Sequence, residues 1–130
     1  MYTMKETCEK VNMTYETLKY YCNQNLVPNL KRDKNNYRIF DERNIAWLEG
    51  LQCLRKAGMS VKDMKQYMEY CLEGKKTIQS RKAMLENTKR RLVDQIDNLK
   101  DSLKYIEEKQ IFYDEVLSGK REYKSNIIDV

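Results

Sequence analysis

The chain has 130 residues, a formal net charge of +5 and 35% charged residues, with only one proline and four glycines. This length fits one ordinary domain or a small head carrying one long element, and the scarcity of helix breakers favours a mainly α fold. Histidine is absent, which removes the commonest metal ligand and general base, and no apolar run approaches the roughly 18–20 residues that a membrane span needs.

Two short helices are predicted at the start of the chain. Thr3 can cap the first of them, with Glu6 completing a capping box. After a break at residues 11–13, Thr14 can cap a second helix that runs to about Gln24. Two helices joined by a short turn are typical of a helix-turn-helix.

Residues 26–40 change from helical to extended character. Residues 26–28 and 37–40 are predicted strands, and the polar segment 31–36 between them is predicted to turn. The pattern predicts a small hairpin, the wing of a winged helix-turn-helix, from Lys31 to Arg38. Residues 19–38 are rich in basic side chains and contain only one acidic residue, Asp33. The basic residues are Lys19, Lys31, Arg32, Lys34 and Arg38. Such a patch suits a polyanion, although an ordinary solvated loop would carry the same charges.

Two more helices are predicted after the wing. Asp41 can cap a third helix through about Ala57, and Gly58 can end it. Ser60 can then cap a fourth helix that runs to about residue 73. Residues 1–74 are therefore predicted to form the winged helix-turn-helix head.

A single long helix is predicted from residue 77 to about residue 117, within a dimerisation segment at 75–117 that is followed by a tail at 118–130. Its apolar residues recur at the heptad spacing of a coiled-coil seam. These seam residues are Leu85, Leu92, Ile96, Leu99, Leu103 and Ile106. About 40 residues span roughly 60 Å, which is more than the head could cover. We therefore expect a homodimer; a monomeric helical hairpin is the alternative.

The predicted second helix and the wing carry side chains suited to the DNA backbone, because hydroxyl groups and cations bind phosphate oxygens. The candidate DNA-binding residues are Thr14, Tyr15, Thr17, Lys19, Tyr20, Tyr21, Arg32, Lys34, Tyr37 and Arg38. One of the adjacent tyrosines, Tyr20 or Tyr21, is expected to pack under the wing instead.

Four sequence blocks resemble the MerR family of bacterial transcription regulators in their order and spacing. They are TLKYY at 17–21, LVP at 26–28, NYRIF at 36–40 and LRKAGMS at 54–60. The resemblance covers residues 2 to about 117. Three positions depart from the usual family wording: Lys19 replaces an arginine, Cys22 stands where glutamate is common, and Asn36 replaces a glycine.

The resemblance implies a winged helix-turn-helix head and an antiparallel coiled-coil homodimer bound to double-stranded promoter DNA. Family promoters hold two recognition elements that are too far apart in ordinary B-DNA. The activating dimer bends and untwists the centre so that RNA polymerase can engage both elements. In physical terms this is indirect readout, because contact energy offsets the deformation of the duplex.

The four cysteines narrow the type of sensor and the compartment. They lie far apart without a CxxC pair, and no secretion signal opens the chain, so they are expected to be free thiols in the cytoplasm. Residues 77–130 contain neither Cys nor His, which argues against the soft-metal site of metal-sensing relatives. No metal, cofactor or membrane partner is expected. An enzyme is not expected either, because no nucleophile has a recognisable base.

Cys53 is the candidate sensor. It shares a face of the third predicted helix with Ala46, Gly50 and Ala57, and such small residues allow another helix, the partner's coiled coil, to approach closely. The block around Cys53 also resembles the aldehyde- and thiol-stress-responsive (NmlR/AdhR-like) subgroup, which implies modification of this thiol by an electrophile or oxidant. Alternatively, Cys53 only fills a gap, while Cys8, Cys22 and Cys71 are expected to be structural. A small apolar ligand as trigger, or a helical adaptor that binds no DNA, are the other interpretations.

Overall fold

In the computed structural model, which describes residues 1–130, helices dominate and the only sheet has two strands. The elements are α1 (Met4–Val11), α2 (Tyr15–Asn23), β1 (Lys31–Arg32), β2 (Arg38–Ile39), α3 (Glu42–Lys56), α4 (Val61–Glu73) and α5 (Ile78–Leu117), with a 3₁₀ turn at Lys75–Thr77 before α5. The predicted mainly α fold, with a winged helix-turn-helix head and a long C-terminal helix, is confirmed. None of the helices combines the length and the hydropathy that a transmembrane segment requires.

The first four helices begin where the sequence predicts, because each has a side-chain cap. The caps are Thr3, Thr14, Asp41 and Ser60. Each side-chain oxygen accepts an amide hydrogen of the first turn that has no partner inside the helix. At α1 the Glu6 carboxylate also accepts the Thr3 amide at 3.0 Å, which completes the predicted capping box.

The wing is present, but its first strand lies later than predicted. Lys31 pairs with Ile39 and Arg32 with Arg38 in an antiparallel ladder. The expectation that residues 26–28 form a strand was wrong. Leu26 is fully buried, and its carbonyl accepts the Trp47 indole N–H at 2.7 Å. Leu26 and Val27 belong to the core, and the ladder begins only after Pro28.

The helices of the head and the end of the wing share one apolar core. Its largest fully buried apolar side chains are Tyr21, Phe40, Leu18, Leu26, Leu48, Leu51 and Met64. An isolated bridge between Tyr2 and Phe40 adds two backbone hydrogen bonds, of 2.7 and 2.8 Å. The core therefore fixes both the wing and α2.

The chain divides into two compact units, residues 1–92 and 93–130. The first unit extends beyond residue 74 because the start of α5 packs on the head. Thr77 is buried, and its hydroxyl contacts the carbonyl of Tyr70 as well as that of Gly74 at 2.9 Å. Arg81 donates to the Thr77 hydroxyl at 3.2 Å. The functional boundaries at 74 and 117 stay predictions.

Candidate nucleic-acid interface

Helix α2 has one buried face and one exposed face. Leu18, Tyr21 and Cys22 are buried, which anchors the helix in the head. Their spacing of three and four residues leaves the remaining side chains on the outside. The exposed or half-exposed candidates on α2 and at its cap are Thr14, Tyr15, Thr17, Lys19 and Tyr20. The structure thus brings five of the six α2-region candidates together on an accessible surface.

One of the two adjacent tyrosines is buried, as predicted, but its neighbours include Arg55 and Met59 near the connection from α3 to α4, and packing under the wing stays a prediction. Tyr20 is 47% exposed, whereas Tyr21 is 2% exposed and belongs to the core. Burial raises the pKa of the Tyr21 hydroxyl, although the Arg55 guanidinium opposes that change. Tyr21 therefore lies beneath the exposed face of α2, and its role in DNA binding stays a prediction.

The wing tip is organised by its own polar groups. The Asp33 carboxylate accepts the amide hydrogens of Asn35 at 2.9 Å and Tyr37 at 3.0 Å. Arg32 donates to the Asn36 carbonyl at 2.8 Å, and Asn36 has a φ of 65°, a left-handed conformation that asparagine tolerates. The departure from glycine at this position therefore fits the turn. The ordered tip leaves the candidate residues Lys34 and Tyr37 exposed.

A hydrogen bond joins the wing to the end of α2. The Arg38 guanidinium donates to the Asn23 side-chain oxygen at 2.8 Å. Asn23 was not among the sequence candidates, because nothing local indicates that the end of α2 faces the second strand of the wing. Both sets of candidates consequently lie in one connected region of the head.

Cys22 lies under this connection. It is buried, and burial raises the pKa of its thiol although the nearby Arg38 and Arg32 guanidiniums oppose the change. A buried thiol with a raised pKa is a weak nucleophile. The structural role expected for Cys22 therefore fits its surroundings, and the same argument applies to Cys8, where burial also raises the pKa.

The small-residue face of α3 is open to solvent within one chain. Ala46, Gly50 and Cys53 are exposed, and a Cβ placed on Gly50 would meet no atom within 4 Å. All four cysteines are free thiols. Cys53 therefore does not fill a gap in its own head, and its sulfur is open to reagents unless another chain covers it.

The predicted seam of α5 is also uncovered. Leu99 is 69% exposed, and most of the other seam residues are exposed as well. Leu92 is half-buried.

No group of three or more His, Cys, Asp or Glu side chains is placed to hold a metal ion.

The chain resembles known proteins in both sequence and fold. Residues 2–71 match the family described as MerR HTH family regulatory protein. An uncharacterised HTH-type transcriptional regulator of Haemophilus influenzae is 38% identical over 86% of this chain and 83% of its own length. The HTH-type transcriptional regulator AdhR of Bacillus subtilis is 33% identical over 68% of this chain and 64% of its own length.

Two solved structures resemble the chain closely. HiNmlR, a MerR family regulator lacking the sensor domain and crystallised on promoter DNA, superposes with a TM-score of 0.82 at 36% identity. The superposition covers 90% of this chain and 89% of HiNmlR. A MerR family transcriptional regulator from Bacillus thuringiensis gives a TM-score of 0.77 at 29% identity, covering 86% of this chain and 98% of that protein.

Proposed function

The chain belongs to the MerR family of helix-turn-helix transcription regulators, within its NmlR/AdhR-like subgroup, and on this basis we propose that it binds promoter DNA as a homodimer and controls transcription by distorting the duplex. Proteins of this family are transcription factors rather than enzymes.

The main support for DNA binding is the continuous surface that α2 and the wing form, where Arg38 is hydrogen-bonded to Asn23. Tyr15, Thr17, Lys19 and Tyr20 supply hydroxyl groups and a cation from one helix, and Arg38 adds a guanidinium held by Asn23. These groups suit phosphate contacts from the side chains of a helix and of its flanking wing. HiNmlR, which shares this fold, was crystallised on promoter DNA.

The uncovered seam of α5 supports the homodimer. Leu85 and Tyr113 each lie fourteen residues from Leu99, and Leu92 and Ile106 each lie seven residues from it. An antiparallel pair of α5 helices centred on Leu99 would match these residues across a twofold axis. Such a dimer buries side chains that one chain leaves in water and carries two heads for two half-sites.

In the proposed dimer, α5 joins each head to the coiled coil. A duplex whose half-sites do not match the spacing of the two heads would have to bend or untwist to contact both. In the activating state the deformed promoter would present both of its recognition elements to RNA polymerase. We propose this role for RNA polymerase together with a location of the protein in the cytoplasm.

Cys53 is the proposed trigger. Its exposed thiol lies on the small-residue face of α3, where the partner's coiled coil would pack. Addition of the thiolate to an electrophilic carbon forms a C–S bond, and for an unsaturated aldehyde the displaced electron pair takes a proton from water. The added bulk would push apart two closely packed helices and so change the angle between head and coil.

Selection from a random DNA duplex pool, followed by footprinting, tests the central proposal. The full chain should enrich a sequence with twofold symmetry and protect both halves of it. Arg38→Gln should lose most of this binding. A helical adaptor that does not bind DNA would enrich no sequence, and that outcome would refute the proposal.

A further inference from the structure

The tail after α5 presents apolar side chains that nothing in its own chain covers. Ile127 is 93% exposed, and Ile128 and Val130 are exposed as well. The turn that carries them is ordered, because the Ser125 hydroxyl accepts the amide hydrogens of Ile127 and Ile128, both at 3.1 Å. These side chains remain in water unless another surface buries them, and burial of apolar surface is favourable.

Polar contacts hold the first residues of the tail against the end of α5. Gly119 has a φ of 79°, and the Lys120 amide donates to the Glu115 carbonyl at 2.9 Å. The Arg121 guanidinium forms an ion pair with Glu115 at 3.0 Å and lies 5.6 Å from the centroid of the Phe112 ring. The tail therefore leaves the helix along a defined path, and its apolar residues follow after that point.

A cleft of about 440 Å³ lies between α3, α4 and the base of the wing. Trp47 of α3 and Met68 and Leu72 of α4 form its apolar side, and Leu72 is 57% exposed. The Trp47 ring stacks on Tyr67 with 6.2 Å between centroids, and its N–H is bonded to the Leu26 carbonyl. This apolar side is therefore held in place by the head itself.

The other side of the cleft is basic, and Lys31 of β1 and Arg43 of α3 line it. Lys31 lies 3.5 Å from the Asp41 carboxylate, whereas Arg43 makes no ion pair within the chain. In the tail, Asp129 directly follows the two isoleucines, and it has no ion pair either. The order of side chains in the tail, apolar and then acidic, matches a cleft that has an apolar side and a cation without a partner.

The proposed dimer brings the tail of one subunit close to the cleft of the other. Leu117 and Arg81 each lie eighteen residues from Leu99, so an antiparallel pair centred on Leu99 places the end of one α5 beside the start of the other. That start is attached to α4, since the Thr77 hydroxyl contacts a carbonyl of α4. The ten residues from Leu117 to Ile127 span up to about 33 Å, and the cleft residues of α4 lie within about 11 Å, two helical turns, of its end.

We propose that the tail of each subunit docks on the head of its partner, and that its two isoleucines enter the cleft beside Trp47. The Asp129 carboxylate then pairs with Arg43. The inference rests on the homodimer of the proposed function and adds to it a contact outside the coil. Because Lys31 of the wing lines the same cleft, docking would connect the coil of one subunit to the wing of the other.

Fluorescence of Trp47, the only tryptophan of the chain, reports whether the cleft is covered. Trp47 is half-buried in one subunit, and a docked tail should protect it further from quenching by acrylamide. Ile127→Asp and Ile128→Asp should each raise the quenching constant and shift the emission to the red. Asn126→Asp, which introduces the same side chain next to them, is the control and should behave as the wild type. Quenching of both isoleucine variants equal to that of the wild type would overturn the inference.

A heterodimer shows whether docking takes place between subunits. One chain carries Leu72→Asp and the other Ile127→Asp, and two affinity tags isolate the mixed dimer. Docking across subunits leaves one intact tail opposite one intact cleft, so one of the two tryptophans should stay protected. Docking of each tail on its own head would protect neither tryptophan, and that outcome would overturn the inference.

Charge reversal tests the pairing of Asp129 with Arg43. Asp129→Arg and Arg43→Asp should each increase the quenching of Trp47, because each places like charges together. The double variant restores a pair of opposite charges, so it should recover the protection that the single variants lose. A double variant that is quenched as strongly as the single variants would contradict the proposed seating of the tail.

Sedimentation of the wild type separates this inference from the proposed function. A dimer in which the isoleucine variants leave Trp47 quenching unchanged would refute the tail contact alone, whereas a monomer would refute the homodimer and the contact between subunits together. The dye anilinonaphthalene sulfonate tests the other occupant. Dye binding to the wild-type dimer that Leu72→Asp abolishes would assign the cleft to a small apolar ligand and likewise overturn the inference.

Discussion

Arg38 of β2 donates a hydrogen bond to Asn23 at the end of α2, so the wing and the proposed recognition helix are held by one side-chain contact. The geometry implies that Asn23 is a positioning residue, since its neutral amide fixes the direction of a guanidinium. Substitution of Asn23 and substitution of Arg38 should therefore affect the salt dependence of DNA binding differently.

Asn23→Ala should weaken DNA binding about threefold to tenfold and leave the salt dependence nearly unchanged, because the charge of Arg38 remains. Arg38→Gln should weaken binding more and lower the salt slope by about 0.9 for each phosphate that the variant no longer neutralises. Fluorescence anisotropy at several salt concentrations measures both quantities, with Lys5→Gln on α1 as a charge control. Identical salt slopes for Arg38→Gln and wild type would show that Arg38 touches no phosphate.

Asp33→Ala tests the order of the wing tip. The substitution removes the acceptor of the Asn35 and Tyr37 amides, so the tip should lose protection from hydrogen exchange and DNA binding should weaken. Electrostatics alone predicts the opposite, because the protein becomes more positive. Asp33→Asn, which keeps a side-chain acceptor, should bind DNA better than Asp33→Ala. Tighter binding by Asp33→Ala than by wild type would contradict the positioning role.

Leu99→Asp should convert the homodimer into monomers, since it would place two carboxylates at the centre of the proposed seam. Asn98→Asp introduces the same side chain one residue away, on the outer surface of the coil, and should leave the dimer intact. Analytical ultracentrifugation gives the oligomeric state, and operator binding should fall by more than about a hundredfold for the monomer because the two half-sites act together. A persisting Leu99→Asp dimer would mean that the seam is misassigned.

Cys53→Ser should keep DNA affinity but abolish transcription induced by an electrophile such as an unsaturated aldehyde. Serine is close in size to cysteine but does not form the C–S bond. Cys8→Ser is the matched control, since burial raises the pKa of that thiol and disfavours the reactive thiolate. In vitro transcription with and without the aldehyde measures the effect. Unchanged induction of Cys53→Ser would remove this residue from the mechanism.

Asp41 should make the stability of the head depend on pH. The hydrogen bond from the Asn44 amide holds the pKa of the Asp41 carboxyl below its ordinary value, and the nearby Lys31 lowers it further but by less. The folded state therefore favours the ionised form, so its stabilisation is present above the ordinary value of about 3.9 and is lost as the pH falls through the lowered one.

Asp41→Ala should accordingly cost about 1 kcal/mol at neutral pH and progressively less in acid. Urea unfolding across this pH range measures the difference, and Asp41→Asn, which keeps the cap without titrating, is the control. A cost for Asp41→Ala that stays constant down to the acid limit would contradict the assignment.

Local signals in the sequence were sufficient to predict where the helices begin. Thr3, Thr14, Asp41 and Ser60 begin their helices as predicted, because a cap and its amide lie within three residues of one another. The continuous periodicity after Thr77 likewise predicted α5. The family blocks could also be identified from the sequence, because they depend on order and spacing alone.

Burial and contacts across the chain were decided only by the tertiary structure. Residues 26–28 have the composition of a strand, yet Leu26 lies in the core beneath Trp47. Tyr20 and Tyr21 are chemically identical neighbours, and only packing against the core selects which one remains accessible. The wing position of Arg38 was predictable from the hairpin, but its bond to Asn23 joins residues 15 apart. Helix caps and periodicity act over a few residues, whereas these placements depend on how separate elements pack together.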